Sequence, residues 1–92
     1  MDPDKELQKF LDDRGRVTRW PSKPIRQMLV LKYLATRFVL GKHYTEAEVN
    51  NVLNECHTFN DAALLRRELV MKDLFDRADN GSAYWKKSVR EG

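Results

Sequence analysis

Two neighbouring arginines, Arg66 and Arg67, sit inside NDAALLRRELV at residues 60–70. An arginine presents a planar fork of N–H donors that suits guanine edges in the major groove and phosphate oxygens along a duplex. The same pair could instead face water or meet carboxylates nearby, such as Asp73 or those of the preceding segment. Glu68 and Lys72 stand four apart, a favourable helical ion pair. Glu46, Glu48 and Glu55 would lie near a nucleic-acid backbone and oppose it. Residue chemistry leaves both readings open.

A second group surrounds Trp20. Arg16, Arg19, Lys23 and Arg26 could hold phosphates while the indole stacks on a base, or Trp20-Pro21 could lock the segment onto the core and leave the cations solvated. Lys86 and Lys87, followed by Arg90, could add phosphate contacts or form an ordinary polar tail. His43, Cys56 and His57 could ligate a metal, but their spacing matches no zinc pattern and Cys56 falls on an apolar stripe. No metal and no cofactor are expected. There is no glycine-rich phosphate loop and no nucleophile or carboxylate pair in a recognised motif. A chain of 92 residues also has little room for a deep pocket, so catalysis is not expected.

Charge is unevenly placed. Residues 1–13 hold five acids and two bases, while residues 14–45 hold eight bases and no acid. Residues 46–82 hold eight acids and four bases, and residues 83–92 carry a net charge of +2. Positive charge thus flanks the segment that carries the two arginines. Apolar residues make up 41% and charged residues 34%, which fits one folded domain rather than a disordered chain. Apolar runs such as Met28–Leu31 are far too short to span a membrane. The acidic, polar start MDPDKELQKF is unlike a targeting peptide, and a single cysteine excludes an internal disulfide. A cytoplasmic protein is expected.

The elements follow from spacing. Asp2 and Pro3 start a short helix with Leu7, Phe10 and Leu11 on one face. Gly15 stops it, and RVTRW runs extended to Pro21. A long helix is expected from about Ser22, as cap, to Phe38, with Met28, Leu31, Leu34, Ala35 and Phe38 inward. A short strand can form at His43-Tyr44. Thr45-Glu46-Ala47-Glu48 is a capping box, with Tyr44 and Val49 as its hydrophobic staple; Val49, Val52, Leu53 and Cys56 then form an amphipathic stripe. Thr58 or Asn60 can cap the next helix, which runs to about Asp73. There Ala62, Leu65 and Leu69 face one way while Leu64 and Met71 face nearly the opposite, so contacts on two sides are expected. Asn80-Gly81 predicts a hairpin with a two-residue turn of positive φ, Arg77 opposite Tyr84 and Phe75 opposite Lys86.

The expected fold is mainly α with a small β-hairpin. Its order is that of a winged-helix domain, a helix-turn-helix variant, with an extra N-terminal helix and an extended arm. One domain spans 1–92: helix 1–13, basic arm 14–21, three-helix core 22–74, hairpin wing 75–87 and tail 88–92.

RVTRWPSK, LVLKYLATRF, YTEAEVN, LLRRELV and GSAYW, together covering roughly residues 14–86, resemble an uncharacterised bacterial domain family. Its members occur alone or attached to helix-turn-helix transcription regulators. The resemblance implies a winged-helix-like domain in a transcriptional setting, with no established activity. Family members often have a lysine-rich run where this chain has Pro24-Ile25-Arg26-Gln27, and glycine where it has Asp73. Aspartate tolerates a left-handed helix end less well than glycine, so a strained or differently capped approach to the hairpin is expected.

Function then divides into two classes. One is a DNA-binding or transcription-regulatory module that contacts double-stranded DNA through the arm, the wing and the third core helix. The other is an interaction or sensing domain whose partner is a transcription regulator or another protein. Oligomeric state is not legible.

Overall fold

In the computed structural model, which describes residues 2–88, the first helix starts where its sequence demands. The Asp2 carboxylate accepts from the backbone N–H groups of Asp4 and Lys5, and Pro3 opens α1 (Pro3–Gln8). Its Glu6 reaches sideways to Arg26 at 3.1 Å, which ties this helix to the next. The Glu6 carboxyl is held below its ordinary range, first by Lys9 and then by Arg26.

The segment expected as an extended basic arm is threaded into the fold. Asp12 to Arg16 close a turn around Gly15 (φ +76), with the backbone N–H groups of Arg14 and Arg16 both donating to the Asp12 carboxylate. A Cβ at Gly15 would meet the Tyr33 hydroxyl at 2.8 Å, so another residue would displace that hydroxyl as well as strain the φ. Val17 is fully buried. Its N–H donates to the Cys56 carbonyl at 2.8 Å and its carbonyl accepts from Thr58 at 2.9 Å. Alternation hid this residue, because a single valine among charged neighbours carries no periodicity.

Helix α2 (Pro24–Ala35) begins one residue later than a cap at Ser22 would start it. The residue before a proline is pushed to extended backbone, so Lys23 (φ −94, ψ 133) becomes the cap position and supplies no side-chain hydrogen bond. The helix also ends short of Phe38, whose last turn tightens into i→i+3 bonds, Arg37 to Leu34 and Phe38 to Ala35. Val30, Leu31, Leu34, Ala35 and Phe38 are buried, whereas Met28 is only half-buried, so the inward stripe is rotated toward Val30.

Strand β1 (His43–Tyr44) leads into α3 (Glu46–Asn54), where Thr45 and Glu48 complete the capping box in both directions. Between α3 and α4 (Ala62–Met71) the turn is held by His57. Its Nδ1 lies 2.5 Å from the Leu53 carbonyl and its Nε2 accepts from the Asp61 N–H at 2.9 Å. The cap of α4 is Asp61, which accepts from Leu64, rather than Thr58 or Asn60; Asn60 instead takes a left-handed φ of 55°. Leu65 and Leu69 are buried as expected, but the opposite side is not gripped. Met71 is 67% exposed, and Leu64 is half-buried.

Helix α4 ends in a Schellman motif. Leu74 N–H donates to the Leu69 carbonyl and Asp73 N–H to Val70, with Asp73 itself left-handed at φ 67°. The hairpin then forms from β2 (Phe75–Arg77) and β3 (Tyr84–Lys86), with Phe75 opposite Lys86 and Arg77 opposite Tyr84. The register is the expected one, but the turn is not a two-residue turn with positive φ at both positions. Ala78 and Ala83 pair last, Gly81 N–H bonds back to Ala78, and only Gly81 has positive φ. Asn80 acts through its side chain instead, accepting from Ser82 N–H.

Among the described residues the protein is therefore mainly α, four helices with a three-stranded antiparallel sheet in the order β1-β3-β2. The core gathers Leu31 and Leu34 of α2, Leu53 of α3, Leu65 and Leu69 of α4, and Phe75 of β2. Phe38 meets Tyr44 and Phe75 edge-on at 5.1 and 4.8 Å, which joins the end of α2 to the sheet. Among the described residues, no helix is long and apolar enough to cross a membrane.

Candidate nucleic-acid interface

Burial of Leu65 and Leu69 sets the rotation of α4, and with it the direction of both arginines. Arg66 is turned toward α3. One of its guanidinium nitrogens donates to Asn50 at 2.5 Å and another meets Glu46 at 3.1 Å, leaving its side chain 19% exposed. Its Cζ stands 6.0 Å from the centre of the Tyr84 ring. Arg67, one residue on, is exposed and, among the described residues, makes no ion pair. Ala63 and Met71 share its solvent-facing line on the helix.

Arg66 and Arg67 line one cleft with Arg77 of β2, a space of about 340 Å³ between α4 and the hairpin that is closed by Glu46, Val70 and Tyr84. Arg77 is exposed and was missed among the candidate residues, although the expected register already put it opposite Tyr84. The signal lay in the pairing, not in the local charge. One carboxylate, Glu46, faces these three cations.

The residues around Trp20 are differently engaged. Arg16 donates from Nε to Asp12 at 2.8 Å, and the Asp12 carboxyl is held below its usual range, first by the Arg16 N–H. Arg26 is occupied by Glu6. Arg19 lies over the Phe10 ring with its Cζ 4.7 Å from the centroid. Trp20 packs half-buried against the core and lines a small cleft with Arg19 and Arg26, while Lys23 stays exposed. Glu6 of the first helix and Asp12 of the turn after it thus neutralise part of the basic stretch.

Lys86 and Lys87 line a third, separate cleft with Lys32 of α2. Lys87 is in contact with the Asp73 carboxylate, which raises the lysine's pKa. The expected contribution of Arg90 lies outside the described residues. Of the metal-capable trio, His43 stacks on Trp85 at 4.7 Å, while Cys56 is buried, with its thiol pKa raised by burial. His57 spends both ring nitrogens on backbone groups.

The chain belongs to a family described as an uncharacterized protein conserved in bacteria (DUF2087), whose match covers residues 16–86. No curated protein and no solved structure matches it. The matched span runs from the Arg16 thread to the end of β3, so it includes every element except α1.

Proposed function

We propose that this domain is a non-enzymatic winged-helix module that binds double-stranded DNA in a transcription-regulatory role. The observation that carries the reading is the convergence of Arg66, Arg67 and Arg77 on one cleft between α4 and the hairpin. The order α2, β1, α3, α4, β2, β3 and the sheet order β1-β3-β2 support it, since α4 then takes the place of a recognition helix and the hairpin that of a wing. Arg67 reaches outward for base edges or phosphates, and Arg77 adds a phosphate contact from the wing. Arg66 positions α4 on α3. Around Trp20, Arg19 and Lys23 make no ion pair among the described residues, whereas Arg16 and Arg26 are discounted by their carboxylates.

Fluorescence anisotropy with random duplex DNA across a salt series tests this. Each phosphate contact contributes about 0.9 to the slope of log affinity against log salt. Arg67→Ala with Arg77→Ala lowers the slope by about 2. Neutralising Arg16, Arg19 and Lys23 together also lowers it by about 2 rather than 3, because Arg16 is already paired. Absence of binding by the wild type at low salt overturns the reading.

A second reading, an interaction domain for another protein, is favoured by one specific observation. Val39 and Leu40 are 62% and 57% exposed in the loop between α2 and β1, and Met71 is exposed on α4. Loss of a protein partner on Leu40→Asp, with DNA binding absent, is its expected result.

A further inference from the structure

The cleft between the end of α2 and the base of the hairpin lies away from the Arg66–Arg77 cleft and is the larger, about 760 Å³. Lys32 and Thr36 of α2 form one wall; Lys86, Lys87 and Ser88 form the other. Ala35, Leu74 and Asp73 complete it. The volume falls in the range of small-molecule sites rather than that of a bare ion. Ala35 is buried and Leu74 half-buried, so part of the inner surface is apolar while three lysines line the cleft.

We propose that this cleft binds a small organic carboxylate with an aromatic or alkyl body. The carboxylate sits among Lys32, Lys86 and Lys87, and the apolar body lies on Ala35 and Leu74. The molecule already supplies an example of the contact, because the Asp73 carboxylate is seated on Lys87. That carboxylate is 80% exposed on a backbone held left-handed, so it is an exchangeable occupant rather than a buried partner. Lysines act as point charges and impose no bidentate geometry, so they suit a carboxylate on bodies of varied shape. Among the lining residues three lysines stand against one carboxylate, and Asp76 adds a second negative charge near Lys87. With Asp73 left-handed, the Schellman turn that ends α4 aims a carboxylate at the same lysine a ligand would use.

The test is titration of 2-naphthoate into the isotope-labelled domain, followed by amide shifts, with 2-naphthol and 2-naphthylmethylammonium as neutral and cationic counterparts. The expected result is saturable shifts at residues 32–36, 73–74 and 86–88 with naphthoate alone. Lys32→Glu and Lys86→Gln each weaken binding about tenfold, the worth of a charge-assisted hydrogen bond. Asp73→Asn, which keeps a residue tolerant of left-handed backbone, tightens it up to about fivefold, the range of an exposed ion pair removed from competition. Circular dichroism confirms that each variant is folded. Equal binding of 2-naphthol, shifts centred elsewhere, non-saturating shifts, or no gain with Asp73→Asn overturns the proposal. None of these measurements involves DNA, so they stand or fall apart from the reading of α4.

Discussion

Asp73 adopts a left-handed conformation that costs an ordinary L residue about 1–2 kcal/mol, and somewhat less for aspartate. Its compensation is the contact with Lys87, an exposed pair worth about 0–1 kcal/mol. Asp73→Gly is therefore expected to stabilise the domain by up to about 1 kcal/mol, raising Tm by about 4–8 °C per kcal/mol in a protein of this size. Thermal melting followed by circular dichroism checks it; a lower Tm means the Lys87 contact outweighs the backbone. This strain was expected from the family resemblance, in which glycine often stands where this chain has Asp73. The fate of Arg66 was not. Two adjacent arginines look alike in a string, and only the rotation fixed by Leu65 and Leu69 sends one to Glu46 and Asn50 and the other to solvent.

Among the elements, the capping box of α3 and the hairpin register were readable because each rests on side chains a few residues apart. The hairpin turn was misjudged for a related reason. Asn-Gly favours two left-handed residues, but here the chain closes with a wider loop in which Asn80 uses its side chain and Gly81 alone turns left-handed. Gly81→Val is expected to cost about 1–2 kcal/mol through that one φ. Phe75 and Tyr84 belong to the core, so the loss reaches the whole domain rather than the wing alone. Amide shifts over residues 75–86 and the melting temperature should move together. An altered hairpin with an unchanged Tm would show the wing to be energetically separate. The contacts expected on two sides of α4 failed because apolar residues at Leu64 and Met71 do not by themselves guarantee a neighbour.

At the scale of the molecule, the acidic start and the basic stretch after it are parts of one electrostatic arrangement. Glu6 meets Arg26 and Asp12 meets Arg16, and both carboxyls are held below their ordinary values. A depressed folded pKa adds stability that is present above the unfolded value and lost as pH falls through the folded one. Stability is therefore expected to fall as pH drops below the ordinary carboxyl values of 4.5 for Glu6 and 3.8 for Asp12. The Glu6→Gln, Asp12→Asn double variant should show a flatter dependence of Tm on pH between neutrality and acid. An equal acid slope in both proteins would place the sensitivity elsewhere. Segment charges were visible in the sequence; their pairing was not, since Glu6 and Arg26 are brought together only by the packing of α1 on α2.

The two hydrogen bonds of Val17 also define where the cooperative unit begins. Residue 17 is bonded to residues 56 and 58, and Thr18 to Phe10, so the turn between α3 and α4 is completed by chain that precedes α2. Opening that turn to solvent requires lifting the thread, and lifting the thread uncovers the turn. The amides of Val17 and Thr58 should then exchange with deuterium at a common rate, as one foldon. A fragment cut at Ser22 would keep all three core helices yet lack the backbone partner that closes them.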